Sequence, residues 1–163
     1  MRDLNSSLHR PSILPVVASL VLALGLVACD SSGSAQDEEE GRDIAQTFTV
    51  TVADTTSDYA YGDQNEIGVA YAIDGTVGRT IELERGETYE FELGNSVEGH
   101  PFYFATTPEG GGADEFTEGV ENGGMQSGSV YFTPPEGAPG SLYYQCDFHV
   151  YMGGDISVVD AGS

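Results

Sequence analysis

A Cys, a His and a Met lie three residues apart in the segment YYQCDFHVYMGG, which covers positions 143–154. They are Cys146, His149 and Met152. Thiolate, imidazole and thioether groups are all metal ligands in proteins, and together they suit soft transition metals. Taken singly, these residues are more typical of a small buried side chain, a loop histidine and a core methionine. Their shared spacing just before a Gly-Gly pair instead predicts that the three side chains converge on one metal ion.

The residues around this cluster indicate how it is built. Leu142, Tyr144 and Cys146 occupy alternate positions, which is the period of a β-strand, so the three side chains should share the inward face. The Gly-Gly pair allows the chain to reverse direction after Met152. We therefore expect the ligands in a tight loop at the end of a strand, where the chain can turn them toward one point.

The N-terminal region is typical of an exported lipoprotein. Residues 1–12 carry Arg2 and Arg10, and residues 13–28 form an apolar run that is too short for a membrane span. The run ends in Leu-Val-Ala-Cys, which resembles a bacterial lipobox. We predict a signal peptide at 1–28, lipidation of Cys29 and an acidic tether at 29–45. The protein is then expected to be lipid-anchored to a bacterial membrane and to face the periplasm or the cell exterior.

Removal of the signal peptide leaves few candidates for the remaining ligand. The chain has two Cys and three His, and His9 lies in the predicted signal peptide. Lipidation of Cys29 makes Cys146 an unpaired thiol in an oxidising compartment, and metal coordination would explain its presence. The second imidazole must come from His100. A thiolate, two imidazoles and a distant thioether are the ligands of a blue-copper site.

Other chemistries fit these residues less well. Zinc also binds Cys and His, but it prefers a harder fourth ligand than Met, and Cu(II) binds such sites more tightly. The acidic pair Asp114-Glu115 lies in a Gly-rich segment and is typical of solvated charge. A metal with four protein ligands has no open position for a substrate, so we expect electron transfer and no enzymatic activity. Two alternatives stay open: copper capture, delivery or storage at the same site, and a structural domain without metal.

The charge balance limits the partners. The chain has 27 Asp and Glu against 5 Lys and Arg, for a net charge of −22. Such a surface repels phosphate backbones, which excludes nucleic acid as a partner. We expect a monomer that meets a redox protein, with a basic cytochrome as one candidate. Adaptation to high salt would produce the same acidity.

Short alternating segments separated by turn residues indicate an all-β domain over residues 46–160. The pair Arg85-Gly86 is typical of a hairpin turn within 78–95, and the Gly-rich stretch 108–128 reads as a long loop that could hold a helical turn. The other predicted strands are 46–54, 65–75, 100–107, 129–135, 141–146 and 154–160. About seven or eight short strands at this spacing predict a β-sandwich or barrel.

The stretches GNSVEGHPFYF and GSLYYQCDFHVYMGGDI resemble the cupredoxin family, in particular plastocyanin-like and amicyanin-like domains. The resemblance covers about residues 46–160 and implies a Greek-key β-sandwich that binds one copper ion. It implies that His100, Cys146, His149 and Met152 are the copper ligands. It also implies that electrons pass through the edge of His149, which has apolar neighbours in the chain.

The sequence departs from this family beside the first ligand. Plastocyanin-like domains usually have Pro before this His and an Asn after it that braces the Cys loop through hydrogen bonds. Here Gly99 precedes His100 and Pro101 follows it. Pro101 cannot supply that brace, and the nearby Asn95 is more typical of a turn residue. The sequence therefore does not predict which residues hold the ligands in place.

Overall fold

The computed structural model describes residues 41–162, and these residues contain ten β-strands, a short 3-10 turn at Asn95–Val97 and no α-helix. The predicted signal peptide, Cys29 and the tether up to residue 40 lie outside the described residues. No helix long and apolar enough to cross a membrane occurs within 41–162. The strands are β1 (Gln46–Asp54), β2 (Val69–Ile73), β3 (Thr76–Val77), β4 (Ile81–Glu84), β5 (Tyr89–Leu93), β6 (Phe102–Ala105), β7 (Val120–Glu121), β8 (Gly128–Phe132), β9 (Ser141–Cys146) and β10 (Gly154–Val159).

The strands form two mixed sheets. One sheet has the order β3-β2-β1-β5-β8-β7, and the other has the order β4-β10-β9-β6. Strands β1 and β5 are parallel, as are β4 and β10, whereas the remaining neighbours are antiparallel. The expectation of an all-β sandwich is confirmed. The two strands beyond the expected number come from β3 and β7, which have only two residues each.

One core joins the inner faces of both sheets. Buried positions alternate with more exposed ones in β4, β5 and β10, whereas β2 and β6 are buried at almost every position. In β5, for example, Phe91 is fully buried while its neighbour Glu92 is exposed. This alternation is what a sheet with one packed face and one solvated face requires. Aromatic rings from both sheets dominate the interior: Phe48, Phe91 and Phe132 from the larger sheet, and Phe102, Phe104 and Tyr144 from the smaller one. These rings hold the sheets face to face.

The predicted hairpin at 78–95 is wrong, although both of its strands exist. Strand β4 pairs with β10 in one sheet, whereas β5 pairs with β1 and β8 in the other. The connection at Arg85-Gly86 therefore crosses between sheets. The Arg85 guanidinium donates to the Ala138 carbonyl oxygen at 2.9 Å, and the Gly86 N–H donates to the Pro134 carbonyl oxygen at 2.9 Å. Alternation and a turn residue are shared by hairpins and by such corners, so local pattern does not separate them.

The Gly-rich stretch 108–128 is a loop, as predicted, and it contains the short strand β7 and no helix. Isolated bridges tie it to the smaller sheet and to the loop that follows β9. Phe102 forms an isolated antiparallel bridge with Met125, and Gly110 forms one with Val150. The second bridge brings this loop against the segment that carries the predicted ligands.

Candidate metal centre

The pairing of β6 with β9 brings distant parts of the chain to one edge of the sandwich. In this antiparallel ladder Phe102 lies opposite Cys146. His100 comes two residues before Phe102, and His149 follows Cys146 in the loop beyond β9. The Asp147 N–H donates to the Pro101 carbonyl oxygen at 3.0 Å, which extends the ladder past the end of both strands. The backbone therefore places His100 beside the Cys146–His149 segment.

Three of the predicted ligand atoms converge. The Cys146 Sγ atom lies 3.5 Å from His149 Nδ1 and 3.9 Å from His100 Nδ1, and the two Nδ1 atoms are 3.1 Å apart. A circle through atoms at these separations has a radius of about 2 Å, close to metal–nitrogen and metal–sulfur bond lengths of roughly 2.0–2.3 Å. One point is thus at bonding distance from all three atoms. Among the His, Cys, Asp and Glu residues that the structure describes, these three form the group able to hold a metal ion.

The predicted ligand side chains differ in exposure. Cys146 and Met152 are completely buried, whereas His100 and His149 are half-buried. The thiol is thus shielded from solvent, while the two imidazoles lie between the interior and the surface. Met152 lies three residues beyond His149 and packs in the core at the same end of the sandwich. Its role as the fourth ligand stays a prediction.

The local environment affects the protonation of the ligands. Burial, with a smaller contribution from His149, lowers the pKa of His100, which favours a neutral imidazole with a free lone pair. Burial raises the pKa of the Cys146 thiol, and the backbone N–H groups of Phe148 and His149 oppose that rise. Without metal the thiol therefore keeps its proton at neutral pH. A metal ion must displace this proton when it binds.

The ligand loop is held on one side by the segment between β1 and β2. Tyr151 has a φ of +52°, a left-handed conformation that is uncommon for a large residue. Its carbonyl oxygen accepts hydrogen bonds from the Tyr59 hydroxyl and from Asn65 Nδ2, both at 2.8 Å. Its N–H donates to the Glu109 carbonyl oxygen at 2.6 Å. These contacts hold Tyr151 in a conformation that turns the chain between His149 and Met152.

The Gly-rich loop holds the same segment from the other side. The Gly111 N–H donates to the Cys146 carbonyl oxygen at 2.8 Å. Gln145, which is fully buried, donates from Nε2 to the Pro108 carbonyl oxygen at 2.9 Å. A side chain at Gly110 would collide with Gln145 Oε1 and the His149 carbonyl oxygen, so glycine allows this close approach. The ligand loop is therefore braced on both faces by protein contacts.

The sequence predicted that His100, Cys146 and His149 come together, but it did not predict the residues that brace them. Tyr59 and Asn65 are distant in sequence from every predicted ligand, and nothing in their local pattern marks them. Gln145 is next to Cys146, but its alternation with Cys146 predicted the opposite face of the strand and not a buried side chain. The turn interpretation of Asn95 is consistent with its position at the start of the 3-10 turn. Pro101, which lacks an N–H, contributes its carbonyl oxygen to the Asp147 N–H instead. The composition of the loops offered no signal for these contacts, because they form only when the loops are packed together.

The Gly-Gly pair after Met152 generates the first prediction. A Cβ atom at Gly153 would overlap the carbonyl oxygen of Tyr144, whereas one at Gly137 would meet nothing within 4 Å. We expect Gly153→Ala to lower the free energy of unfolding by at least about 3 kcal/mol, because backbone atoms must move to relieve the overlap. Gly137→Ala should change it by less than about 1 kcal/mol. Urea denaturation of both variants checks this, and equal stabilities would contradict the close approach of the two strands.

Comparison with known proteins gives similarity to solved structures alone. No family model and no curated protein sequence matches the chain. Rusticyanin from Thiobacillus ferrooxidans is 18% identical, with 69% of this chain and 77% of that chain covered and a TM-score of 0.38. Reduced rusticyanin is 19% identical, with 69% and 79% covered and a TM-score of 0.37. A multicopper oxidase from Campylobacter jejuni is 15% identical, with 76% of this chain but 27% of that chain covered and a TM-score of 0.38. The function of this chain is therefore inferred from the geometry of its own site.

Proposed function

We propose that this protein is a blue-copper electron carrier of the cupredoxin type, with one copper ion held by His100, Cys146, His149 and Met152. The observation that carries the proposal is the triangle of two imidazole nitrogens and one thiol sulfur with sides of 3.1, 3.5 and 3.9 Å. Two imidazoles and a thiolate in a trigonal set, with a distant thioether, are typical of a blue-copper site. The Cys-x-x-His-x-x-Met spacing favours the short-loop, amicyanin-like variant.

The donor set favours copper over zinc. Cu(II) binds a given set of nitrogen and sulfur ligands more tightly than Zn(II), and structural zinc sites usually add a further Cys or His as the fourth ligand. Here Met152 is the next sulfur along the chain, and it is completely buried. With four protein ligands, the site leaves no position for a substrate, so the proposed protein is a carrier and not an enzyme.

The bracing of the ligand loop supports electron transfer. Copper, when bound, supplies a one-electron couple between Cu(II) and Cu(I). The role of the protein is to keep the ligands in one arrangement for both states, so that little must rearrange when an electron arrives. Tyr59 and Asn65 on one side, and the Gly-rich loop on the other, hold the segment through hydrogen bonds to its backbone. Such restraint limits the movement of His149 relative to Cys146.

Electrons would enter and leave at the edge of His149. The neighbours of this half-buried residue in the chain, Phe148 and Val150, are 63% and 46% exposed. Exposed apolar side chains beside a redox centre suit the small, transient contacts of electron-transfer partners. Asp147 and Glu109 are also exposed close to this segment. We propose a partner with a complementary basic surface, such as a basic cytochrome, and attachment to a membrane through lipidated Cys29.

Repeated redox cycling tests the proposal against copper delivery. The copper-loaded chain is reduced with ascorbate and reoxidised with ferricyanide through many cycles, in the presence of a soluble Cu(I) chelator. We expect the copper content to stay above about 90% after ten cycles, because the braced loop hinders release of Cu(I). A copper-delivery protein would instead transfer its Cu(I) to the chelator within the first cycles. Copper content is measured by elemental analysis of the protein after each cycle.

A matched pair of methionine variants tests the fourth ligand. Met152 is completely buried near the other ligands, whereas Met125 is 43% exposed in the Gly-rich loop. We expect Met152→Leu to retain copper and to have a higher reduction potential, because Cu(I) tolerates the loss of a ligand better than Cu(II). Met125→Leu should leave the potential unchanged. Cyclic voltammetry measures both, and an unchanged potential in Met152→Leu would show that the Met152 sulfur does not bind copper.

A further inference from the structure

Tyr71 reaches the metal centre from the opposite sheet. It lies in β2 of the six-stranded sheet, whereas Cys146 belongs to β9 of the four-stranded sheet. The Tyr71 side chain is completely buried, and its ring contacts Phe102 and Tyr144 with ring centroids 5.2 and 6.5 Å away. This packing fixes the ring and directs its hydroxyl to the end of the sandwich that carries the ligands.

Tyr71 is hydrogen-bonded to two of the four proposed ligand residues. Its hydroxyl donates a hydrogen bond to the carbonyl oxygen of His100 at 2.7 Å, and its backbone N–H donates to the carbonyl oxygen of Met152 at 2.8 Å. Tyr71 thus connects the segment before β6 with the loop before β10.

We propose that Tyr71 is a positioning residue that fixes the ligand atoms relative to one another. The identity of the metal rests on the proposed function, but the positioning of the ligands does not. His100 lies outside the regular part of β6, and Pro101 beside it has no N–H to donate. The Tyr71 hydroxyl, which belongs to a completely buried side chain, holds the backbone of His100 from the interior. Loss of such a contact to a ligand residue lowers metal affinity even when the ligand itself is unchanged.

The test compares Tyr71→Phe with Tyr144→Phe in the full chain. Both tyrosines are completely buried, and each hydroxyl donates to a backbone carbonyl oxygen: that of Tyr71 to His100, and that of Tyr144 to Arg79 at 2.8 Å. Each substitution removes one oxygen atom and keeps the aromatic ring. The two variants should therefore lose similar amounts of stability in urea denaturation. Only in Tyr71→Phe does the lost hydrogen bond involve a proposed ligand residue.

The first measurement uses the metal-free protein. Cys146 is completely buried, so iodoacetamide reacts with it only when the ligand segment opens. We expect alkylation of the Cys146 peptide, followed by mass spectrometry, to be about fivefold to tenfold faster in Tyr71→Phe than in Tyr144→Phe. Equal rates in the two variants would overturn the proposal. This measurement does not depend on which metal the protein binds.

The second measurement uses the copper-loaded protein. We expect Tyr71→Phe to release copper to a chelator about 10–100-fold faster than the unsubstituted chain, and Tyr144→Phe to release it at nearly the original rate. Unchanged release in Tyr71→Phe, with copper bound normally, would overturn the positioning role and leave the proposed function intact. Faster alkylation in Tyr71→Phe, with no copper bound by any of the chains, would support the positioning role and contradict the proposed function.

Discussion

The antiparallel pairing of β6 with β9 is the contact on which the metal centre depends. His100 and Cys146 are 46 residues apart in the chain, and this ladder brings them to the same edge of the sandwich. The hydrogen bond from Asp147 to Pro101 continues the ladder beyond the strands, so the first imidazole stands beside the loop that carries the second. A shift of the register by one residue would turn Cys146 away from the interior, because strand side chains alternate between faces. The aromatic core that fixes this register is therefore part of the site.

The protein around the predicted ligands keeps their donor atoms close together even when no metal is bound. The three donor atoms contact one another, and the neighbouring segments add further restraints on their positions. The loops on either side hold the ligand segment through its backbone, and Tyr71 links it to the opposite sheet. Preorganisation of this kind removes part of the cost of ordering the ligands when a metal binds. It also limits their movement when the charge of the metal changes.

The sequence is enough to predict both the fold class and the side chains that come together at the site. A different physical property of the chain underlies each prediction. Period-two alternation marks strands such as β1 and β9, whose observed bounds match the predicted ones, and the scarcity of His makes His100 the second imidazole. The pairing of distant strands, in contrast, is not marked by local sequence patterns. The segments β4 and β5 have the pattern of a hairpin, yet they join separate sheets, because the choice of partner depends on the whole core. For the same reason, the roles of Tyr59 and Tyr71 become visible only in the folded chain.

The most direct test of the blue-copper assignment is the spectrum of the copper-loaded chain. Cu(II) is added to the metal-free protein, and the visible and EPR spectra are recorded for the unsubstituted chain and for Cys146→Ser. We expect an intense thiolate-to-copper absorption and a narrow copper hyperfine splitting, both absent from the variant, because the proposed covalent bond to copper is formed by the Cys146 sulfur. A colourless protein, or a weak spectrum that the substitution does not change, would contradict the blue-copper assignment.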